Sequence, residues 1–249
     1  MSKGTILITG ASSGLGAEMA RQFADLGYDL GICARRTERL EALREEIQVA
    51  HPTTRVEVRR LDVTDPDEVF GVFGDFAATF GTIDRVIINA GLGKGAPLGT
   101  GRPDANRETA MVNFIGALSQ SEAALEIFRR QKQGHLVMIS SMSALRGMRK
   151  SMTTYAATKA GVAALAEGVR AENIKGVDVT VIFPGYIRSE MNDRVEQQTK
   201  LMVDTETGVK SIVAAIEKRV AKAYVPAWPW VPIGAAMRTL PLSVVRKLS

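Results

Sequence analysis

The chain has 249 residues, of which 45% are hydrophobic and 24% charged, and this composition is that of an ordinary soluble globular protein. The lack of an apolar run of about 18 residues argues against a transmembrane helix, and no basic and apolar leader precedes the first strand-like segment. The net charge is +5, but both signs are mixed in the main body, which argues against a nucleic-acid-binding protein.

A single cysteine and two histidines limit the chemistry further. Cys33 excludes an internal disulfide and favours a cytosolic location, and its apolar neighbours predict a buried structural thiol. His51 and His135 stand beside Pro and Gly in predicted loops, without partners at ligand spacing. We therefore predict neither a metal site nor a Ser-His-Asp hydrolase.

The first predicted strand, residues 5–8, runs directly into a glycine-rich turn at residues 9–16 and then into a helix. Glycines let the backbone approach a pyrophosphate, and the helix N-terminus offers free N–H groups and a positive dipole end. Strand, turn and helix together predict a dinucleotide site. The alternative is a glycine-rich turn that binds no ligand.

The second predicted strand, residues 29–34, ends in Arg35 and Arg36, and a helix follows at residues 37–49. In dinucleotide folds an acidic residue near this strand end binds the adenosine ribose hydroxyls. Here the neighbourhood is basic, which suits a 2′-phosphate and favours NADP(H) over NAD(H). The alternative is that the two arginines only begin a charged helix.

The later elements continue the alternation of strands and helices. Strands are predicted at residues 55–61, 85–88, 135–140, 177–183 and 224–226, and helices at 65–80, 106–131, from about 155, 190–200 and 206–222. Such alternation implies right-handed crossovers and a parallel sheet covered by helices on both faces. No linker or repeat divides the chain, so we predict one domain over residues 1–249.

Tyr155 and Lys159 carry the most suggestive spacing for chemistry. If Thr153 or Thr154 caps a helix, the two side chains lie one turn apart on the same face. The ammonium would then lower the phenol pKa from about 10 toward neutrality, which suits proton transfer to or from an alcohol. The alternative is an ordinary amphipathic helix that contains both residues.

Taken together, the motifs resemble those of the short-chain dehydrogenase/reductase family over residues 4–191. The resemblance implies a Rossmann-type α/β fold with a doubly wound parallel sheet of about seven strands in the order 3-2-1-4-5-6-7. It also implies a catalytic tetrad of Asn113, Ser141, Tyr155 and Lys159. The implied cofactor-binding residues are Gly10, Ser12, Ser13, Gly14, Leu15, Gly16, Arg35, Arg36, Asp62, Val63, Asn89, Ala90, Gly91, Tyr155, Lys159, Pro184, Gly185, Ile187 and Ser189.

The sequence departs from the family pattern at several positions. The interval from Ser141 to Tyr155 is one residue longer than the commonest spacing, and Ser143 is the competing candidate, one residue too short. We favour Ser141 because it follows the strand. Ile88 stands where the family often has a second asparagine, and Ser189 stands where it usually has threonine.

The resemblance implies hydride transfer between nicotinamide C4 and a carbonyl or secondary alcohol, with a homodimer or homotetramer as the expected assembly. Residues 190–222 are predicted to form a substrate lid. The apolar and basic tail, residues 226–249, is predicted to cover the pocket, form a subunit interface or contact a membrane or lipid, and it suggests a hydrophobic or lipid-like substrate. A redox sensor without turnover and a membrane-associated scaffold are the alternative functions.

Overall fold

A computed structural model of the chain describes residues 2–190 and 201–248. Its strands are β1 (Thr5–Thr9), β2 (Asp29–Ala34), β3 (Val56–Arg60), β4 (Arg85–Ile88), β5 (Gly134–Ile139), β6 (Val177–Pro184) and β7 (Lys222–Val225). Its helices are α1 (Gly14–Asp25), α2 (Thr37–Ala50), α3 (Pro66–Phe80), α4 (Pro103–Ala110), α5 (Gly116–Gln131), α6 (Met152–Ala171), α7 (Thr205–Glu217), α8 (Ala227–Thr239) and α9 (Leu242–Leu248).

The seven strands of the described part form one parallel sheet in the order β3-β2-β1-β4-β5-β6-β7. This confirms the predicted fold class and strand order. The order reverses between β1 and β4, so the connections that leave these strands diverge to opposite faces. Such a switch point opens a crevice at the carboxyl ends of the strands, where ligands of this architecture bind.

Each face of the sheet has its own apolar core. One core joins α3, α5 and α6 through residues such as Phe73, Phe128 and Val162. The other joins α1, α2 and α7 and includes Phe23 and Ile212. Burial of both sheet faces explains why central strands such as β1 and β4 read as mostly continuous apolar runs instead of alternating ones.

The segment predicted as one helix from residue 106 to 131 is helical but not uniform. It begins at Pro103, and residues Met111–Ile115 form a π-helical turn between α4 and α5. This turn contains Asn113, and such turns are frequent at functional sites. Periodicity alone does not reveal a one-residue insertion of this kind.

The capping prediction for the Tyr155 helix is wrong. α6 begins at Met152, so Thr153 and Thr154 lie inside its first turn, and Ser151 at the N-cap makes no side-chain cap. Thr153 instead donates to the carbonyl of Lys150, and Thr154 donates to Asn106 Oδ1. The predicted relation of Tyr155 to Lys159, one helical turn apart, is unaffected.

The placement of His135 in a loop is also wrong, because this residue lies in β5 and is fully buried. Its Nδ1 accepts from Arg85 at 3.0 Å, and Nε2 is 2.8 Å from Thr180 Oγ1. Burial, followed by the nearby Arg85 charge, lowers the pKa of His135 to about 3. Arg85 also pairs with Glu217 at 2.7 Å, so His135 is part of a structural network that ties β4 and β5 to the end of α7.

The predicted lid and tail have separate outcomes. α7 packs into the core through Val209 and Ile212 instead of covering the pocket, whereas residues 191–200, including the predicted helix there, lie outside the described part. The tail folds back as α8 and α9. No helix in the described ranges is long and apolar enough to cross a bilayer.

Candidate active site

The glycine-rich turn between β1 and α1 is shaped by close backbone contacts. Gly10 has φ +65°, and a Cβ there would stand 2.7 Å from Cα of Ala90. A Cβ at Gly16 would collide with the Gly10 carbonyl and the Asn89 amide. Side chains at either glycine would force the turn away from β4, so their absence lets α1 begin directly beneath the cleft.

Thr9 and Asn89 fasten this turn to the end of β4. Thr9 Oγ1 accepts from the backbone N–H groups of Asn89 and Ala90, both at 3.1 Å. The Asn89 side chain donates to the Thr9 carbonyl at 2.9 Å and to the Gly10 carbonyl at 3.3 Å. These bonds hold the two strand ends at the switch point in fixed positions.

Asp62 lies beyond the end of β3, at the same edge of the sheet where the carboxyl ends of the strands meet. This edge is the rim of the cleft. Its Oδ1 accepts from the Thr64 backbone at 3.0 Å and from the Thr64 hydroxyl at 2.8 Å. Burial works to raise the Asp62 pKa, but the bonds from Thr64 and the positive charge of Arg35 lower it overall. Asp62 is therefore ionised and oriented at neutral pH, with Arg35 nearby on the cleft wall.

Arg36 is held against the glycine-rich turn. Its guanidinium donates to Ser12 Oγ at 3.2 Å and to Ser13 Oγ at 2.7 Å. It also pairs with Glu190 at 3.0 Å, and Arg39 pairs with the same carboxylate at 2.9 Å. The bonds to these arginines and to Ser13 lower the pKa of Glu190 to about 2.

Ser141, Tyr155 and Lys159 meet at the end of β5. Lys159 is buried, and its ammonium donates to the Ile139 carbonyl at 2.9 Å and lies 5.9 Å from the centre of the Tyr155 ring. Burial lowers the Lys159 pKa to about 8. A hydrogen bond links Ser141 to Tyr155.

The expected lowering of the Tyr155 pKa is wrong for this structure. Burial raises the pKa of the phenol, and the bond with Ser141 offsets only part of that increase. The ammonium of Lys159 donates to the Ile139 carbonyl and lies 5.9 Å from the centre of the Tyr155 ring. Tyr155 is therefore a neutral phenol at pH 7 and has a proton to donate.

Asn113 lies behind the cleft and is 1% exposed. Its Oδ1 accepts from the Leu92 backbone at 2.6 Å, and its Nδ2 donates to the Leu92 carbonyl at 2.8 Å. Nδ2 also lies 3.3 Å from Thr158 Oγ1, next to Lys159 in sequence. Asn113 thus joins the loop after β4 to α6.

One continuous cavity of about 1080 Å³ runs along this rim. It is lined by the predicted site residues Gly10, Ser12, Ser13, Gly14, Leu15, Arg35, Arg36, Asp62, Val63, Asn89, Ala90, Gly91, Ser141, Tyr155, Lys159, Pro184, Gly185, Ile187 and Ser189. Gly16 and Asn113 do not line it; the first lies beneath the turn and the second behind Leu92.

The tail forms the apolar end of this cavity. Trp230 of α8 is 5% exposed and stands over Gly185, where any Cβ would collide with the indole ring. Ile233, Met237 and Leu240 extend the apolar wall, and Val245 of α9 completes it. The described part of the tail therefore lines the pocket, and the choice among its three predicted roles stays a prediction.

The amino-acid sequence matches the family model described as short chain dehydrogenase over residues 4–200. The chain belongs to the short-chain dehydrogenase family. An uncharacterised oxidoreductase of Mycobacterium tuberculosis strain H37Rv is 49% identical over 245 residues, which cover 98% of this chain and 96% of the relative. The chain is accordingly an oxidoreductase of this family.

Two solved short-chain dehydrogenases illustrate the structural likeness. The enzyme of Sphingobium yanoikuyae in complex with NADPH is 25% identical, with a TM-score of 0.82 over 96% of this chain and 97% of that one. The enzyme of Burkholderia phymatum in complex with NAD is 20% identical, with a TM-score of 0.84 over 95% and 92% of the two chains. The second likeness shows the fold alone.

Two serines of this short-chain dehydrogenase compete for the role beside Tyr155. Ser143 lies 8% exposed in a short 3₁₀ turn, Met142–Leu145, and both its backbone N–H and its hydroxyl donate to Ser141 Oγ, at 3.2 and 3.0 Å. Ser141 is the serine that is hydrogen-bonded with Tyr155. The geometry therefore favours Ser141 as the direct partner and gives Ser143 a supporting position.

Sequence reasoning missed Arg39, Glu190 and Trp230 as site residues. Arg39 lies one helical turn after Arg36, so the basic pattern could have been extended to it. The other two come from distant parts of the chain and reach the rim only through the fold. No local sequence signal identifies them.

Proposed function

We propose that this short-chain dehydrogenase is an NADP(H)-dependent oxidoreductase that acts on carbonyl groups or secondary alcohols of hydrophobic substrates. The single observation that carries the proposal is the meeting of Ser141, Tyr155 and Lys159 in a cavity continuous with the glycine-rich turn and with Arg35 and Arg36. Proton donor, nucleotide cradle and anion-binding side chains thus share one cleft.

The residues fit a nicotinamide dinucleotide. The cradle exists because Gly10 and Gly16 lack side chains that would fill it, and the N-terminus of α1 faces it. Asp62 offers an ionised acceptor for the adenine end, while Pro184, Gly185 and Ser189 line the same cleft. A bound nicotinamide would supply or accept the hydride.

The chain's own residues supply the proton chemistry. Tyr155 donates a proton to the substrate oxygen as hydride reaches the carbonyl carbon, since its phenol is neutral at pH 7. Ser141 donates a hydrogen bond to the same oxygen and stabilises the charge that develops there. Lys159 provides the positive charge that favours the phenolate left behind, and Asn113 fixes the backbone around it.

The preference for NADP(H) is supported by the charge of the rim. Arg35 and Arg36 both line the cleft beyond β2, and no acidic side chain ends that strand. Guanidinium groups form strong paired hydrogen bonds with phosphate. A 2′-phosphate at this position would therefore gain contacts that a ribose hydroxyl cannot make.

The apolar end of the cavity supports a hydrophobic substrate. Trp230, Ile233, Met237, Leu240 and Val245 present a wall without charges. The test is a panel of ketones and aldehydes of increasing chain length, assayed with NADPH and with NADH. We expect NADPH oxidation that strengthens with chain length; consistently faster turnover of short polar carbonyls would contradict the substrate proposal.

The pH dependence of reduction should follow Lys159. Because burial lowers its pKa to about 8, the ammonium is present below that pH and is lost above it. We expect kcat/KM for ketone reduction to fall on the alkaline side with an apparent pKa close to this value. Steady-state rates across the alkaline range measure it; a profile that stays flat far above pH 8 would contradict the role given to Lys159.

A larger side chain in the apolar wall should leave less space in the cavity and restrict the enzyme to substrates with shorter chains. Met237→Phe adds volume inside the cavity, whereas Val231→Phe adds the same ring type on a half-exposed position of the same helix. We expect Met237→Phe to lower kcat/KM for long-chain ketones by about tenfold and to spare short ones. Val231→Phe should leave kcat/KM unchanged for both long-chain and short ketones. Equal effects of the two variants would contradict the assignment of Met237 to the cavity wall.

The outward-facing side chains of the tail support a contact with a membrane surface, which is independent of the cavity that the tail lines. Trp228 is 79% exposed, Leu242 59% and Val231 48%, so the helices that roof the cavity also present apolar side chains outward. Aromatic and aliphatic groups on a basic tail suit a membrane interface. Co-sedimentation with anionic vesicles should fall in Trp228→Ser/Leu242→Ser; unchanged sedimentation would refute the membrane contact.

A homo-oligomer is proposed through the exposed sides of α5 and α6. Ala157 and Ala164 are exposed small residues on α6, while Ile115 in the π-helical turn and Leu118 on α5 are exposed apolar residues. Small residues allow a close approach of helices across an interface. Sedimentation equilibrium tests the assembly, and a concentration-independent monomer would exclude it.

A further inference from the structure

We propose that Glu190 competes with the cofactor 2′-phosphate for Arg36 and Arg39, and so sets how strongly the protein discriminates NADP(H) from NAD(H). The inference rests on the proposed function, since it assigns a 2′-phosphate to this cluster. It adds Arg39 to the phosphate-binding residues and gives Glu190 the role of an internal anion.

The contacts of Glu190 define an anion-binding site. One carboxylate oxygen lies 2.9 Å from Arg39 and 3.3 Å from Arg36, and the other lies 3.0 Å from Arg36. The Arg36 guanidinium also donates to the hydroxyl groups of Ser12 and Ser13, and Ser13 is itself hydrogen-bonded with Glu190. Two guanidiniums beside hydroxyl groups are donors that a phosphate uses as readily as a carboxylate does.

The site lies at the correct end of the cleft for this role. Arg36 is the second residue after β2 and lines the cavity with Arg35. Glu190 comes from the connection that follows β6 and lines the same cavity. A carboxylate from one rim of the cleft therefore reaches the cations of the other rim.

Two anions cannot share these donors without repulsion. Glu190 is ionised throughout the neutral range, because its bonds to the arginines hold its pKa at about 2. A phosphate monoester carries about −1.5 to −2 charges at pH 7 and must displace the carboxylate or accept its repulsion. NAD(H), which carries a hydroxyl at this position, meets no such conflict.

The competition is partial because the ion pairs are half exposed. Side-chain exposure is 39% for Arg36, 47% for Arg39 and 48% for Glu190. Solvent-exposed pairs of this kind are weak and are screened by salt. A bound phosphate can therefore displace the carboxylate, at the cost of a several-fold loss of affinity.

Calorimetric titration of the full chain with NADP⁺ and with NAD⁺ tests the inference. Glu190→Gln keeps the size of the side chain and removes its charge, and we expect it to tighten NADP⁺ binding about fivefold at low salt and to leave NAD⁺ unchanged. Glu38→Gln removes a charge from the first turn of α2 and is the matched control. The gain in NADP⁺ affinity should be smaller in 0.5 M KCl, because a Debye length of roughly 4 Å screens the charges.

Arg39→Ala tests the second half of the proposal. We expect NADP⁺ to bind about tenfold more weakly and NAD⁺ to bind as before. Arg44→Ala, which removes an arginine paired with Glu41 on the same helix, is its control. If Glu190→Gln weakens the binding of both dinucleotides, or changes the affinity for neither, the inference is overturned.

These outcomes are separate from those of the proposed function. If the wild-type chain binds NAD⁺ more tightly than NADP⁺, the cofactor proposal fails. In that case a shift of Glu190→Gln toward NADP⁺ would still support competition by the carboxylate. If the wild-type chain prefers NADP⁺ and Glu190→Gln does not increase that preference, the inference fails alone.

Discussion

Replacement of Tyr155 by phenylalanine should lower kcat for ketone reduction by about 10³-fold, because it removes the proton donor and little else. The phenol is hydrogen-bonded with Ser141 and lies beside the buried ammonium of Lys159. The benzyl side chain retains the shape of the cavity wall. Dinucleotide binding, measured by calorimetry, should therefore be unchanged while turnover is lost.

Tyr28→Phe is the matched control for this variant. Tyr28 is 7% exposed, and its hydroxyl donates to Glu217 at 3.0 Å in the network that ties β4 and β5 to the end of α7. Loss of this hydroxyl should leave kcat unchanged. Substantial turnover by Tyr155→Phe, or equal losses in both variants, would contradict the assignment of Tyr155 as the acid.

Replacement of Arg36 by alanine should weaken NADPH binding by roughly 10- to 100-fold, as expected for the loss of charge-assisted hydrogen bonds to a phosphate. NADH should bind as before, since it has no 2′-phosphate. Fluorescence titration with both reduced cofactors measures the two affinities. Arg36→Lys should recover only part of the loss, because an ammonium lacks the paired donors of a guanidinium.

Arg21→Ala is the control for charge alone. Arg21 is an exposed arginine of α1 that pairs with Glu46 at 2.7 Å, and it does not line the cavity. We expect its loss to leave both affinities unchanged. A parallel loss of NADPH and NADH affinity in Arg36→Ala would indicate that Arg36 only supports the glycine-rich turn through Ser12 and Ser13.

Much of the sheet could be predicted because its central strands, such as β1 and β4, are buried on both faces and read as mostly apolar runs. The bounds of β2 and β4 were predicted to the residue. The glycine-rich turn was equally clear, since Gly10 and Gly16 occupy positions where a Cβ cannot fit. Local backbone requirements of this kind leave a direct trace in sequence.

Other features depended on long-range packing and left no such trace. The Tyr155 pKa is set by burial and by the bond with Ser141, neither of which follows from a spacing of four residues. The contact of Glu190 with Arg36 joins residues 154 positions apart. Trp230 reaches Gly185 only because the tail folds back over the sheet. Such contacts are products of the tertiary structure.

Transfer of deuterium from NADPH to a ketone is the direct test of hydride transfer by this chain, with Tyr155 as the proton donor. The chain would be incubated with a hydrophobic ketone and NADPH that carries deuterium at either face of nicotinamide C4, and the product alcohol analysed by mass spectrometry. We expect one deuterium on the carbinol carbon from one of the two labelled cofactors, and about 10³-fold slower labelling with Tyr155→Phe. Tight NADPH binding without label transfer to any ketone or aldehyde of the panel would contradict it and favour a redox sensor.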